Sequence, residues 1–282
     1  MRVPVIILAV VTLIAASVFS VAILSAGGQA GARGQAPAAA GRGQPPAGPA
    51  IPRAADGKPD LSGIWQVLDN SLDGSIEPHA ASYGVRAGQG AIVDPPDGKI
   101  PYLPAALAKR QANYKNRAKD PVAYCFKPGV PRITYMPFPF QIIQGKDTIL
   151  MASEFASASR TIRMNTREKS PTDAWMGWSI GRWDGDTLVI DVTDQIDQTW
   201  FDRAGDFHSE ALRVVERYTS IDRNTISYEA TMEDPKVFTR PWKISMPLYR
   251  HVEKNAQLME YKCVEFVEEL MYGHLRKKPS NQ

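Results

Sequence analysis

The stretch Trp178-Ser-Ile-Gly-Arg-Trp-Asp-Gly-Asp-Thr-Leu-Val-Ile-Asp-Val192 decides the fold class. Two runs rich in β-branched and aromatic residues flank the pair Asp184-Gly185, and Asp-Gly is a preferred hairpin turn because its central residues need positive φ. Residues 226–232 then alternate apolar and polar side chains, and Asp222-Arg-Asn-Thr joins them to the preceding apolar run. That period of two predicts antiparallel strands with one buried face.

Further β-type segments surround this region, and one helix is predicted over Pro104–Lys119, which has proline in its first turn and few β-branched residues. Together they predict a mainly β fold: an antiparallel closed or nearly closed β-barrel with one helix. A β-sandwich is the alternative. A barrel of about eight strands can enclose one small ligand. The additional predicted strands are Pro59–Trp65, Thr148–Phe155, Ser159–Met164, Ala211–Thr219, Phe238–Pro247 and Leu258–Val264.

The N-terminal composition predicts export. Residues 1–26 are almost wholly apolar, which indicates a signal peptide or, if the segment is not cleaved, an N-terminal anchor. Residues 27–56 are rich in Ala, Gly and Pro and predict a disordered linker. Residues 57–282 then form a single β-rich domain. We expect a periplasmic or secreted protein, or one anchored to the inner membrane through the N-terminal segment alone.

The net charge argues against a nucleic-acid partner. The chain has 33 basic and 30 acidic residues. The only charged residues before Asp56 are Arg2, Arg33, Arg42 and Arg53, so the remaining chain carries 29 basic against 30 acidic residues. The basic balance belongs to the N-terminal region, and the domain offers no electrostatic case for nucleic acid.

Cys125 and Cys263 are the only cysteines. In an oxidising compartment a small, even number favours a disulfide, which would close a very long loop. Two separate buried thiols are the alternative, and a reactive cysteine is less favoured because neither residue has a neighbouring histidine.

The segment from Asp197 to Arg213 concentrates candidate catalytic residues between two predicted strands. In extended chain, His208 and Glu210 would point to the same side, so the carboxylate could orient the imidazole as a general base. Asp202 could serve the same role, and Arg213 could stabilise a developing negative charge. The competing interpretation is that these groups hydrogen-bond a neighbouring turn.

Candidate ligand-binding residues are Trp200, Trp178, Trp183, Arg132 and Glu154. Tryptophans can line a pocket, although they more often belong to the core. Charged side chains in or beside strands usually face water, and those pointing inward must pair or bind a ligand.

Two other chemistries are weakly supported. Gly177-Trp-Ser179-Ile-Gly181 matches a nucleophile-elbow pattern, but that motif needs a strand, a turn and a helix, and here a hairpin follows. The four histidines lack metal-ligand spacing, so we expect no metal, although a site from His208, Glu210 and Asp202 is formally possible. No cofactor motif occurs.

From Pro59 onward the chain resembles a large, functionally uncharacterised family of secreted bacterial proteins. The resemblance is carried by Pro59–Trp65, Cys125–Arg132, Pro137–Ile143, Gly177–Val189, Thr199–Glu210, Arg213–Tyr218 and Pro241-Trp242. It implies a lipocalin-like barrel and brings no activity, substrate or catalytic residue.

Three functions remain open at this level. The first is an exported barrel that binds a small, partly apolar molecule. The second is a hydrolase or lyase that uses the His, Asp, Glu and Arg cluster at the barrel rim. The third is a structural protein of the cell envelope.

Overall fold

The structure, a computed structural model, describes residues 50–82 and 85–275. The predicted signal or anchor segment and linker residues 27–49 lie outside the described residues. Within the described ranges, no helix combines the length and apolar character needed to cross a membrane.

Ten strands and three α-helices make up the described chain. The strands are β1 Gly63–Gln66, β2 Ile92–Asp94, β3 Phe140–Gln144, β4 Thr148–Ser153, β5 Ser159–Met164, β6 Trp178–Asp184, β7 Thr187–Thr193, β8 Arg213–Asp222, β9 Thr225–Glu233 and β10 Trp242–Arg250. The helices are α1 Pro104–Lys115, α2 Arg132–Tyr135 and α3 Val267–Tyr272, with short 3₁₀ turns at Arg117–Lys119, Pro121–Tyr124, Phe155–Ser157 and Gly273–Leu275.

Nine of the strands close into a barrel. The hydrogen-bonded order runs β1-β3-β4-β5-β6-β7-β8-β9-β10, and β10 returns to β1 by pairing Arg250 with Trp65. The short strand β2 adds to the other end of β10, through Asp94 opposite Lys243. Closure confirms the predicted barrel and excludes the sandwich.

One strand pair departs from the antiparallel prediction. Strands β5 and β6 are parallel, with Ile162 opposite Ser179. Parallel neighbours need a crossover connection rather than a tight turn, and residues 165–177 provide it here. This parallel pairing could not be predicted from local sequence, because the crossover contains no helix.

The two predicted hairpins are present. Asp184 pairs with Thr187, so the central turn residues are Gly185 and Asp186, one position later than predicted. Gly185 takes the positive φ of +58° that the turn requires. Residues 226–232 of β9 alternate buried and half-buried as predicted.

The helical prediction and the last strand prediction need correction. The predicted helix begins at Pro104 but ends at Lys115, and the single-helix prediction missed α2 and α3. Leu258–Val264 is not a strand. The barrel already closes through β1 and β10, so it needs no further strand from this segment.

A disulfide attaches the segment after β10 to the barrel. Cys125 and Cys263 are bonded across 138 residues, which confirms the predicted pairing. Two further contacts hold the segment: the Met259 N–H donates to Glu154 at 2.6 Å, and Tyr261 packs on Phe138 with ring centroids 4.6 Å apart.

Candidate functional site

The barrel interior is filled by side chains. The cavity at its β3–β5 side measures about 10 Å³. That volume is at the lower limit for one water molecule. A ligand larger than water would not fit this cavity. The cavity is lined by Ile133, Thr134, Phe140, Met151, Ala152, Ser153, Ala158, Ser159, Arg160 and Met176.

An ion pair occupies the interior beside this cavity. The Arg160 guanidinium donates to both oxygens of Glu216, at 2.6 and 3.0 Å. The hydroxyls of Tyr218 and Tyr228 donate to the same carboxylate at 3.0 and 2.9 Å. Burial raises the pKa of both tyrosines, so their hydroxyls remain protonated donors. Because Glu216 is 0% exposed, these four bonds replace its hydration.

His208 lies within the packed interior rather than at an open site. It is 1% exposed, and its Nδ1–H donates to the Ser209 carbonyl at 2.8 Å. Its Nε2 therefore accepts from the Thr199 hydroxyl at 2.6 Å, with the Gln195 amide nitrogen at 3.4 Å. Burial lowers the pKa of His208, which favours this neutral tautomer. Both ring nitrogens of His208 have hydrogen-bond partners within the protein, and the ring is too buried for a substrate to reach it as a general base.

Asp202 belongs to a separate buried network. Its carboxyl accepts from the backbone N–H groups of Ile76 and Asp206, at 3.0 and 3.2 Å. Burial, followed by the neighbouring Asp206, raises the pKa of Asp202 well above its usual range. Asp206 in turn accepts from Arg110 and Tyr102, each at 3.0 Å. These bonds fasten the 70–79 loop and α1 to the 200–208 loop.

The other two predicted catalytic residues do not join His208. Glu210 lies in a turn rather than in extended chain, and its carboxylate pairs with Lys236. That ion pair lowers the pKa of Glu210. Arg213, on β8, pairs with Asp191 at 2.6 Å on the exposed face. The structure therefore gives each of the four residues that we predicted would act together a different set of partners.

Arg132 and Glu154 also form hydrogen bonds with other groups of the protein. The Arg132 guanidinium is 1% exposed and donates to both oxygens of Asp120 and to Asp73, each at 2.8 Å. Glu154 accepts the Met259 N–H described above. Arg132 satisfies its carboxylate partners within the fold and offers no donor to a ligand.

Of the predicted tryptophans, two have structural partners. The indole of Trp178 donates to the Glu168 carbonyl at 3.0 Å, and the Arg163 guanidinium stacks 3.9 Å from its ring. Trp183 is half-buried against the core. Ser179, the centre of the elbow pattern, is buried within β6, so the elbow geometry is not formed.

Trp200, by contrast, lines an open cleft of about 430 Å³ beside the disulfide. This is the size of a small-molecule site, which typically measures about 300–1,000 Å³. We call it the aromatic cleft. It is lined by Lys119, Pro121, Tyr124, Phe126, Trp175, Gln198 and Trp200.

The disulfide region shapes one wall of the cleft. Cys125 has φ of +63°, so the chain reverses at the cysteine and both its neighbours, Tyr124 and Phe126, reach the cleft. Phe266, close to Cys263, packs edge-on against Tyr124 with ring centroids 4.5 Å apart. The covalent bond therefore fixes the backbone from which two cleft aromatics project.

Hydrogen bonds at and beside Gln195 connect the other walls of the aromatic cleft. Its side-chain amide accepts from Val130 N–H at 2.6 Å and donates to Val130 O at 3.0 Å. The adjacent backbone pairs with Ala174, whose N–H donates to Asp194 and whose carbonyl accepts from Ile196. These bonds join the crossover that carries Trp175, the segment after Cys125, and the loop that carries Gln198 and Trp200.

We predicted Trp200 as a ligand-binding residue but did not predict the other three aromatic residues of the cleft. Tyr124, Phe126 and Trp175 stand in irregular segments, where no periodicity marks a face. One local pattern could have identified Tyr124 and Phe126. They flank Cys125, which was predicted to form a disulfide, and such a bond holds its two neighbours at the surface.

Comparison with protein-family models, curated proteins and solved structures found no match. Among the described residues, no group of three or more His, Cys, Asp or Glu side chains is placed to hold a metal ion.

Proposed function

We propose that this protein binds a small, partly apolar molecule in the aromatic cleft. The observation that carries the proposal is the contrast between a barrel interior with room for a water molecule and a cleft of about 430 Å³ with four aromatic side chains. Apolar lining with a few polar groups is the usual character of ligand sites. Lys119 and Gln198 supply those polar groups here.

The rigidity of the cleft supports the same proposal. Its walls are joined by the disulfide and by the two Gln195–Val130 hydrogen bonds. A site that is already formed loses less entropy on binding and so gains affinity. The hydrolase or lyase alternative lacks such support, because His208, Asp202, Glu210 and Arg213 each have different partners.

Ligand-dependent stabilisation tests the proposal. We would screen a panel of small aromatic, aliphatic and saccharide compounds with the full-length, oxidised protein by thermal unfolding. A ligand at about 100 times its Kd stabilises the folded state by about 2.7 kcal/mol. We expect some compounds to stabilise the wild type and the same compounds to fail with Phe126→Ala.

Tyr114→Ala is the matched control. Phe126 and Tyr114 are both 47% exposed, but Tyr114 lies on α1 outside the cleft. Stabilisation that persists in Phe126→Ala, or no stabilisation by any compound, would show that the cleft is not a ligand site.

We also propose that the protein is exported, as the N-terminal apolar segment and the resemblance to secreted bacterial proteins suggest. A bonded cysteine pair is consistent with this, because disulfides persist in oxidising compartments. Cell fractionation with thiol labelling checks the proposal: unlabelled cysteines in the periplasmic or secreted fraction are expected. Cytoplasmic protein with two labelled thiols would contradict it.

A further inference from the structure

The charges around the aromatic cleft indicate the chemical class of its ligand, an inference that rests on the proposed function. We propose that its ligand is a flat aromatic molecule that carries a negative charge. Two features of the cleft carry this inference: the arrangement of its rings and the sign of the one charged side chain in its lining.

The rings offer flat faces. Phe126 and Trp175 are stacked almost in parallel, with ring centroids 4.7 Å apart and an angle of 5° between their planes. Aromatic groups prefer offset-stacked or edge-to-face contacts with other rings. Trp200 and Tyr124 add two more rings to the same space. A planar, conjugated ligand can therefore contact several aromatic surfaces at once.

The sign of the cleft charge comes from Lys119. It is the one charged side chain among the seven residues that line the cleft. Within the described part of the chain, no ion pair involves its ammonium group. The adjacent Asp120 directs both its oxygens to Arg132, at 2.8 Å, instead of to Lys119.

Charges just outside the lining do not reverse that sign. Three charged residues flank the lining positions: Asp120, Lys127 and Asp197. Asp120 is bound by Arg132, so Lys127 and Asp197 remain as one charge of each sign. Four aromatic rings alone would attract a cation such as a quaternary ammonium group. A lysine in the same cleft opposes a cation and favours a carboxylate, sulfonate or phosphate group.

The test uses three probes that share one ring system and differ in charge. They are 2-naphthoate, the neutral 2-naphthamide and the cationic trimethyl-2-naphthylammonium. Cellobiose serves as a neutral saccharide probe. Dissociation constants are measured by calorimetry with the full-length, oxidised protein at low salt and at 0.5 M NaCl.

We expect 2-naphthoate to bind about fivefold more tightly than 2-naphthamide, which is the upper range for an exposed charge pair. Higher salt should reduce that preference. Lys119→Gln should abolish it, whereas Lys115→Gln should retain it. Lys115 is a suitable control because it is an exposed lysine in the last turn of α1, outside the cleft.

Other outcomes overturn the inference in distinguishable ways. Equal binding of naphthoate and naphthamide, tighter binding of the ammonium probe, or binding of cellobiose alone would reject the anionic aromatic class. In each case binding that depends on Phe126 would leave the proposed function intact. If neither these probes nor any panel compound binds at the cleft, the proposed function fails as well.

Discussion

The ion pair inside the barrel gives a quantitative test of how the interior is stabilised. Replacing Arg160 with methionine keeps a long, flexible side chain but removes the only cation that contacts Glu216 among the described residues. Replacing Glu216 with glutamine keeps an oxygen for the hydroxyls of Tyr218 and Tyr228 but leaves Arg160 without its anion. The two changes can be made singly and together.

The expected magnitude follows from burial. The side chains of Arg160 and Glu216 are 4% and 0% exposed, so either charge left alone has almost no access to water. Removing one partner of such a pair costs about 3–5 kcal/mol, whereas removing both can be nearly neutral. We expect Arg160→Met and Glu216→Gln each to lower the free energy of unfolding by about 3–5 kcal/mol. The double variant should lose less than either single variant.

Urea unfolding at pH 7, followed by tryptophan fluorescence, measures these differences. A typical domain has a total stability of about 5–15 kcal/mol, so losses of this size are readily resolved. Two results would refute the conclusion that desolvation of this pair determines how much it contributes to the free energy of unfolding. They are additive losses in the double variant, or losses below about 1 kcal/mol in the single variants.

Two further predictions concern pH and the disulfide. Because burial lowers the pKa of His208, its contribution to stability is present above the unfolded pKa of about 6.5 and is lost as pH falls through the lower folded pKa. The free energy of unfolding should therefore fall as pH drops below about 6.5, by up to about 1.4 kcal/mol per pH unit, and the fall should be smaller in His208→Gln; equal slopes would contradict this. Replacing Cys125 and Cys263 with alanine should lower the free energy of unfolding at 25 °C by up to about 5 kcal/mol, because the bond closes a loop across 138 residues. Urea unfolding midpoints that match the wild type would show that the bond does not constrain the unfolded chain.

The parts of the fold that depend on local sequence were predictable. The β6–β7 and β8–β9 hairpins have turn residues and alternation within a short window, and both are present. The parallel β5–β6 pair was not predictable, since it depends on where the chain returns after an irregular crossover. The error at Leu258–Val264 has the same origin: an apolar run predicts a strand, but only the closed barrel determines that no further strand is needed.

The candidate site was harder to predict because it depends on partners distant in sequence. The expected cooperation of His208 with Glu210 assumed extended chain, whereas the Leu212 N–H donates to the Ser209 carbonyl and forms a turn there. A His and a Glu two positions apart then face different surroundings. Arg132 shows the same limit: its partners Asp73 and Asp120 could not be assigned by spacing alone.

The distribution of polar groups explains why the cleft, rather than the polar cluster, is the better candidate for binding. The side chains of His208, Asp202 and Arg132 are buried, and each forms its hydrogen bonds with groups of the protein. Lys119 has no such partner among the described residues, and it adjoins aromatic rings that solvent can reach. Binding requires groups whose interactions are still available. Lys119 and the exposed rings of Tyr124 and Phe126 meet that requirement.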